Sequence, residues 1–368
     1  MQQPLHHLSI SGFKSIRSLN GLALDKLNLL VGANGSGKSN FISFFRMVRA
    51  MAEEGLASFV TEQGGADGFF FNGPKATPAI EADLRFAEGA YQLLLTPTAA
   101  MQLMVKRESL RHGATEAWTH HHTGAIESQL KRWGRAAATG GNHPGAEWLY
   151  RTIANWRVYH FHDTSITAGM RRDHPLRNWR ELQPDAANLA PFLLHLQHEY
   201  PKQLAQIRET VQLIAPFFDD FLLEPVAQGE NEMVRLEWRQ RGSAYPFQPW
   251  QLSDGTIRFI ALTTALLQPH PPSMVVIDEP ELGLHPFALD LLAGVLRDAA
   301  ERTQLIVSTQ SASLLNHFAP TEVIVVDRAA GCSRFRRLDG DSLAEWLNAF
   351  ALGELWQKNV LDGGPVNE

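Results

Sequence analysis

One stretch of the sequence has the residue types and spacing of a phosphate-binding loop. Residues 32–39 read GANGSGKS, which fits the pattern G-x-x-x-x-G-K-[S/T] without a mismatch. Its glycines let backbone N–H groups curl around a phosphate, and Lys38 adds a compact positive charge. The Ser39 hydroxyl is an oxygen ligand of the kind that Mg²⁺ accepts. The loop therefore predicts a site for ATP and a magnesium ion.

The elements on either side of this loop favour phosphate binding over a simple turn. A continuous apolar run at residues 27–31 predicts a buried strand, and the apolar spacing after Lys38 predicts a helix. The positive N-terminal end of such a helix attracts the same anion. The alternative is a glycine-rich turn that only joins strand to helix. The predicted nucleotide contacts within the loop are Asn34, Gly35, Ser36, Gly37, Lys38 and Ser39.

A pair of acidic residues follows a second apolar run. Residues 274–277 are apolar and lead directly to Asp278 and Glu279. At the end of a strand, Asp278 can hold Mg²⁺, and Glu279 is placed to polarise an attacking water as a general base. The alternative is that both acids only begin the loop ahead of a helix predicted from Pro286. Beside a complete phosphate loop, the pattern favours hydrolysis of ATP.

A second candidate anion site lies just ahead of the acidic pair. Residues 252–256 read LSDGT and open a predicted helix, so Ser253 and Gly255 stand where a helix N-terminus can bind phosphate. We expect this segment to face away from the phosphate loop of its own chain. It can then reach a γ-phosphate only on the nucleotide of a second subunit. The sequence therefore predicts an ATP-dependent, head-to-tail homodimer.

The wider pattern predicts an α/β protein with two lobes. Predicted helices and strands alternate from residue 250, whereas residues 79–108 predict three short strands and residues 233–240 a further single strand. A chain of 368 residues suits two lobes or a domain with a large insertion. The net charge of −6 argues against a uniformly basic surface, and the single cysteine, Cys332, against a disulfide framework. Neither a signal peptide nor a membrane span is recognisable, so we expect a cytoplasmic protein without membrane association.

In their order along the chain, these motifs resemble those of ABC-type ATPases. The segments GANGSGKSN, LSDGT, VVIDEPELGLHP and IVSTQS are similar to the Walker A, signature, Walker B with D-loop, and switch motifs. The segment ISGFKSI at residues 10–16 is similar to the opening of SMC and RecF proteins, as are Asn40 and the ELGLHP ending. The chain thus resembles stand-alone RecF/SMC-like ATPases, predicted members of the AAA family, some of which belong to DNA-repair or phage-defence systems. The resemblance covers about residues 5–52 and 250–330.

The resemblance implies an α/β fold in which an ABC-type P-loop NTPase core is split by an inserted α+β lobe. The expected core halves are residues 1–108, with Walker A, and residues 245–368, with the signature, Walker B and switch. The expected lobe is residues 109–244. The resemblance also adds Asn40 to the predicted nucleotide contacts and Gln310, at the switch, to the predicted catalytic residues.

Two departures from the ABC pattern carry information. Asp254 and Thr256 stand where transporter signatures usually have glycine and glutamine, which weakens the interpretation as a transporter subunit. Gln310 stands at a position that usually holds histidine. Glutamine can donate to a γ-phosphate but cannot take up a proton, so we expect slow turnover.

The leading hypothesis is an ATP-hydrolysing clamp on DNA in repair or phage defence. The alternatives are a switch whose ATP-dependent dimerisation gates a nuclease or toxin effector, and the ATPase subunit of a transporter. Basic residues with aromatic neighbours at 131–135 and 171–180 are candidate DNA contacts, or else a solvated face. By position, His162 and Asp163 could belong to a Mg²⁺-sensing loop, or to an ordinary strand end. The histidines at 120–122 predict a loop rather than a metal site.

Overall fold

The computed structural model describes residues 4–113, 117–121, 124–139, 145–229 and 231–364. The strands are β1 (Leu5–Phe13), β2 (Ile16–Ala23), β3 (Leu27–Val31), β4 (Ile80–Phe86), β5 (Gly89–Pro97), β6 (Leu103–His112), β7 (Thr119–His121), β8 (Trp156–Tyr159), β9 (His174–Pro175), β10 (Phe218–Leu222), β11 (Pro225–Gln228), β12 (Asn231–Val234), β13 (Glu237–Gln240), β14 (Pro246–Phe247), β15 (Met274–Asp278), β16 (Gln304–Thr309), β17 (Val323–Ala329) and β18 (Cys332–Arg337). The α-helices are α1 (Lys38–Ala52), α2 (Leu56–Glu62), α3 (Leu130–Ala138), α4 (Ala146–Ala154), α5 (Leu189–Glu199), α6 (Pro201–Ile214), α7 (Asp254–Leu267), α8 (Pro286–Ala300), α9 (Ala312–Leu315), α10 (Ala344–Leu347) and α11 (Leu352–Gln357).

The chain divides into two compact units. Unit 1 comprises Met1–Val158, Pro272–Val276 and Thr303–Glu368, and unit 2 comprises Tyr159–Pro271 and Ile277–Arg302. Each unit is therefore assembled from separate segments of the chain. The sequence-based division at 108/109 and 244/245 separates an ATPase core from an insert, and it stays a prediction.

Unit 1 contains two six-stranded sheets. The first has the order β2-β1-β4-β5-β6-β7, and its neighbouring strands pair in antiparallel fashion. The second has the order β18-β17-β3-β16-β15-β8. Strands β8 and β15 belong to unit 1 as far as Val158 and Val276, and their last residues belong to unit 2. In this second sheet β3 runs parallel to both β16 and β17. The phosphate loop therefore leaves the middle of a sheet, between two parallel neighbours.

One aromatic core joins α1 to both sheets of unit 1. All five residues of β3 are buried, as expected for a continuous apolar strand flanked on both sides. On α1 the predicted apolar face is buried, with Phe44 packing edge to face against Phe13 of β1 at 5.7 Å between ring centroids. These contacts fix the first turn of α1, which carries the end of the phosphate loop.

Unit 2 combines helices with two small sheets. Its sheets have the orders β10-β13-β14 and β11-β12-β9, and α7 packs against α6 and α8. Every residue of α7 from Thr256 to Leu267 is buried, so this helix forms the centre of the unit. The LSDGT segment is thus attached to the most buried helix of unit 2.

The structure differs from the predicted elements at a few places. The single strand predicted over 233–240 is two strands, because β12 pairs with β11 and β9 whereas β13 pairs with β10 and β14. His120 and His121 lie in β7 rather than in a loop, and His122 lies outside the described residues. His120 contacts the Ser109 hydroxyl and His121 packs on Trp133 at 4.0 Å between ring centroids.

No helix among the described residues is both long enough and apolar enough to cross a membrane.

Candidate functional site

The phosphate loop connects β3 to α1 in unit 1. Lys38, whose side chain is buried, donates from Nζ to the carbonyl oxygens of Gly32 at 2.6 Å and Ala33 at 3.2 Å. Among the described residues the buried Ser36 hydroxyl has no hydrogen-bond partner. An unsatisfied hydroxyl and a buried ammonium group in one loop are donors that phosphate oxygens would complete. The residues present therefore fit a bound phosphate.

The remaining loop residues are arranged around this centre. Asn34 and Gly35 are exposed at the tip of the loop, and Ser39 is exposed in the first turn of α1. Gly37 has a φ of 116°, and a Cβ at this position would lie 1.9 Å from the Ser333 hydroxyl oxygen. Glycine is required there both by the backbone conformation and by this close approach.

Hydrogen-bonded side chains outside the phosphate loop support its backbone. The Ser333 hydroxyl donates to the Ser36 carbonyl oxygen at 2.6 Å and lies 2.7 Å from the Ser15 hydroxyl. Asn40 donates from Nδ2 to that same Ser15 oxygen at 2.7 Å. Asn40 was predicted to contact the nucleotide; in the structure it contributes to this support, and its contact with nucleotide stays a prediction.

A segment near the other end of the chain also contacts the loop. We call residues 352–364 the C-terminal strap. Its Gly353 N–H donates to the Asn316 side chain at 2.7 Å beside α9, and its Gly363 carbonyl accepts from the Ala33 N–H at 2.8 Å. The strap therefore contacts both the phosphate loop and the region after the predicted switch. No motif in the sequence pointed to it.

The predicted switch residue lies beside the start of the phosphate loop. In the parallel pairing of β16 with β3, Thr309 is opposite Val31. The next residues, Gln310 and Gly32, therefore begin their loops at the same edge of the sheet. Gln310 is half-buried. Its catalytic role stays a prediction.

The acidic pair lies in unit 2, at the end of β15. Both Asp278 and Glu279 are half-buried, and the His162 side chain donates from Nε2 to the Asp278 carbonyl oxygen at 3.0 Å. Glu279 has a φ of 45°, in the left-handed region that non-glycine residues seldom adopt. Such backbone strain costs about 1–3 kcal/mol and is concentrated at functional sites. The predicted general base is thus held in an uncommon backbone conformation.

The LSDGT segment forms the N-terminus of α7. The Ser253 hydroxyl caps the helix by accepting from the Thr256 N–H at 3.1 Å, and Ser253 itself is exposed. A Cβ on Gly255 would lie 2.5 Å from the Gly283 carbonyl oxygen, so only glycine fits this close approach. Gly255 thereby lets the signature segment lie against the loop that follows the acidic pair.

Arg171 supports the signature segment and was not recognised from the sequence. Its buried guanidinium donates to the Leu252 carbonyl oxygen at 3.1 Å and to the Pro249 carbonyl oxygen. It also forms an ion pair with the Asp254 carboxylate at 2.8 Å. These contacts on both sides of Ser253 set the path of the chain into α7.

Arg258, on α7, connects three segments of unit 2. Its guanidinium donates to the carbonyl oxygens of Phe161 at 2.8 Å, His162 at 3.1 Å and Leu282. Burial lowers the pKa of Arg258, and the Asp254 carboxylate opposes this effect. The signature helix, the His162 segment and the loop after the acidic pair therefore share one buried cation.

Replacing Arg171 by alanine is expected to lower ATP hydrolysis by roughly 10- to 100-fold while nucleotide affinity stays within about twofold, because catalysis depends steeply on sub-ångström positioning. Unfolding in urea should show a loss of about 1–3 kcal/mol, since buried carbonyl groups lose their donor. Arg172→Ala is the matched control, because Arg172 is exposed. Equal hydrolysis rates for the two variants would contradict this role.

The candidate DNA contacts are only partly available as a binding surface. Arg171 is buried on the signature segment, and Trp133 is buried in unit 1, so neither can contact a nucleic acid. Lys131 lies 3.6 Å from Glu54 and 3.8 Å from Glu53, which neutralises part of its charge. The interpretation of Arg171 and Trp133 as DNA contacts is wrong, whereas that of Lys131 stays a prediction. Arg177, Trp179 and Arg180 are exposed.

Comparisons with known proteins place the chain in a family. The model of the AAA_21 family, described as "AAA domain, putative AbiEii toxin, Type IV TA system", matches residues 27–316. Comparison with curated protein sequences gives no match. Among solved structures, an Smc head bound to the C-terminal winged-helix domain of ScpA is similar at 15% identity and a TM-score of 0.54, over 93% of this chain and 99% of the other.

A second solved structure gives the same result. The Smc head domain from Pyrococcus furiosus, with an extended coiled coil and bound to the C-terminal domain of ScpA, is similar at 15% identity and a TM-score of 0.53. The match covers 94% of this chain and 99% of that one. The predicted α/β fold class, an ABC-type P-loop core, is confirmed. The chain therefore belongs to the AAA_21 family, and its fold is that of an ABC-type, SMC-head-like ATPase domain.

Proposed function

We propose that the protein binds ATP with Mg²⁺ at the phosphate loop and hydrolyses it. The observation that carries this proposal is the loop itself, in which buried Lys38 donates to backbone carbonyl oxygens and the buried Ser36 hydroxyl has no partner among the described residues. Phosphate oxygens would replace these carbonyls as the acceptors for Lys38. Membership of the AAA_21 family supports the same function.

The residues offered for magnesium are hard oxygen donors, which is the chemistry that Mg²⁺ prefers. Ser39 supplies a hydroxyl and Asp278 a carboxylate, and the ion would neutralise charge on the β- and γ-phosphates. Glu279 would accept the proton of the attacking water as general base. Gln310 would donate a hydrogen bond to the γ-phosphate but would not accept the proton of the attacking water.

The signature segment supports catalysis by a head-to-tail homodimer. Ser253 is exposed at the N-terminus of α7, and the positive end of a 14-residue helix favours an anion there. We propose that Ser253 and Gly255 of one subunit contact the γ-phosphate held by the phosphate loop of its partner. Each active site would then contain residues of both chains.

Mixing two inactive variants tests this arrangement. Ser253→Arg is expected to keep ATP binding but to lose hydrolysis, because the much larger arginine side chain blocks the approach of the partner's nucleotide. Lys38→Ala should also be inactive. In a mixed dimer one composite site carries both substitutions and the other carries none, so phosphate release should reappear.

The control for the mixing experiment is Ser243→Arg, an equivalent change at a half-buried serine outside the motifs of the chain. This variant should hydrolyse ATP like the wild type. Full activity of Ser253→Arg alone would rule out the role of the signature segment. A mixture without activity, at protein concentrations where the wild type dimerises, would rule out hydrolysis by a single intact composite site.

For the cellular role we propose that ATP-driven dimer closure acts on DNA, in repair or phage defence. A second candidate is a switch that gates a partner effector. Two observations favour it. The family description names a toxin of a type IV toxin–antitoxin system. Arg171, a candidate DNA contact, instead donates a hydrogen bond to a backbone carbonyl oxygen of the signature segment. Pull-down with a hydrolysis-deficient variant in ATP, followed by nuclease treatment, separates a bound protein from DNA-mediated capture.

A further inference from the structure

Unit 2 contains a cavity that the nucleotide motifs do not use. It has a volume of about 770 Å³ and lies between the segment after β9, helix α5 and the end of α7. A cavity of this size holds a ligand of a few hundred daltons. The side chains that carry the argument are Trp179, Arg180, His195, Tyr200, Gln268 and His270.

Aromatic rings form one wall of this cavity. The imidazole of His195 stacks on the indole of Trp179, with ring centroids 4.0 Å apart and planes 23° apart. Tyr200 meets His195 edge to face at 5.8 Å. Burial lowers the pKa of His195, which favours the neutral ring in this stack. His195 covers Trp179 on one side, and 37% of Trp179 is exposed, so part of the indole is accessible to a ligand.

Polar groups line the same cavity and differ in charge. Arg180 is exposed and has no ion pair within the described part of the chain. Tyr200 and His270 share a hydrogen bond of 3.0 Å between Oη and Nε2. Gln268 offers an amide, and Glu199 offers a carboxylate that accepts hydrogen bonds. A matching ligand has a planar ring with N–H donors and a separate negative charge.

We propose that this cavity binds a nucleotide unit, with the base stacked on Trp179 and the phosphate next to Arg180. An exocyclic amino group, as on cytosine or adenine, would donate to Glu199. The unit is either a free mononucleotide or one residue of a single-stranded nucleic acid, since both present the same base and phosphate. The second source rests on the proposed action on DNA.

Two probes distinguish these sources. Binding of dCMP is measured by calorimetry, and binding of fluorescein-labelled (dC)10 by anisotropy at low salt. Both are measured in the Lys38→Ala background with EDTA, so that the phosphate loop does not contribute. We expect Trp179→Ala to weaken binding by roughly 10-fold or more, the scale of losing one base stack, and Trp179→Phe to restore most of it. Arg180→Gln should weaken binding and flatten its salt dependence.

The matched control is Trp346→Ala, which removes another exposed tryptophan from unit 1. It should bind both probes like the parent protein. Binding of (dC)10 that is insensitive to Trp179→Ala would overturn the cavity proposal and leave the action on DNA standing. Binding of dCMP alone, lost with Trp179, would support the cavity and count against single-stranded DNA. Absence of binding by both probes would overturn the proposal, and an apolar peptide would become the better occupant.

Discussion

Replacement of Lys38 by alanine is expected to raise the dissociation constant for ATP by on the order of 100-fold or more, the scale of losing charge-assisted hydrogen bonds to phosphate. Lys38 contributes the ammonium group at the centre of the loop, and alanine leaves only uncharged donors, the backbone N–H groups and the serine hydroxyls. Isothermal titration calorimetry with ATP and Mg²⁺ measures the change. The matched control is Lys75→Ala, which removes an exposed lysine of the same unit.

The fold of the Lys38→Ala protein must be checked, because Lys38 also donates to two carbonyl oxygens of the loop. Circular dichroism and urea unfolding serve this purpose. A folded variant that binds ATP like the wild type would remove the basis for placing the triphosphate in this loop.

Replacement of Glu279 by glutamine is expected to slow ATP hydrolysis by roughly 10²-fold or more while ATP binding is kept. Glutamine preserves the shape of the side chain and its hydrogen-bonding capacity but cannot accept the proton of the attacking water. Because the ATP state would persist, the variant should accumulate as a dimer. Phosphate release measures the rate, and size-exclusion chromatography with ATP measures the association state.

Glu209→Gln is the control for this second experiment, because Glu209 is an exposed acidic residue of the same unit. Unchanged turnover in Glu279→Gln would exclude Glu279 as the base. Slower turnover without an accumulated dimer would separate the chemical role of Glu279 from the proposed coupling between hydrolysis and dimer opening.

Much of the fold could be predicted because the responsible interactions are local. The strand at 27–31 and the helix from Lys38 agree with the structure, since a continuous apolar run and a 3.6-residue apolar spacing each favour one type of element. The failure at 233–240 has a different origin. The chain changes sheets between Val234 and Glu237, and the choice of partner strand depends on residues far away in the sequence.

The candidate site was predictable where its residues follow a compact pattern, as in the phosphate loop. It was not predictable where one side chain serves several distant segments. Arg171 and Arg258 are indistinguishable by type from solvated arginines, and only burial against backbone carbonyls identifies them as positioning residues. The contact of the Gly363 carbonyl with the Ala33 N–H could not be predicted either, because a backbone carbonyl gives no signal in the sequence.

The position of β3 between β16 and β17 has a consequence for synthesis of the protein on the ribosome. Asn28 donates to the Leu305 carbonyl oxygen at 3.0 Å, and the two residues are 277 positions apart. At a translation rate of about 5–20 residues per second, β16 and β17 are synthesised on the order of tens of seconds after β3. The antiparallel strands β1, β2, β4, β5 and β6 can pair much earlier. The phosphate loop is therefore among the last parts of unit 1 to form, and ATP cannot guide folding of the nascent chain before β16 has left the ribosome.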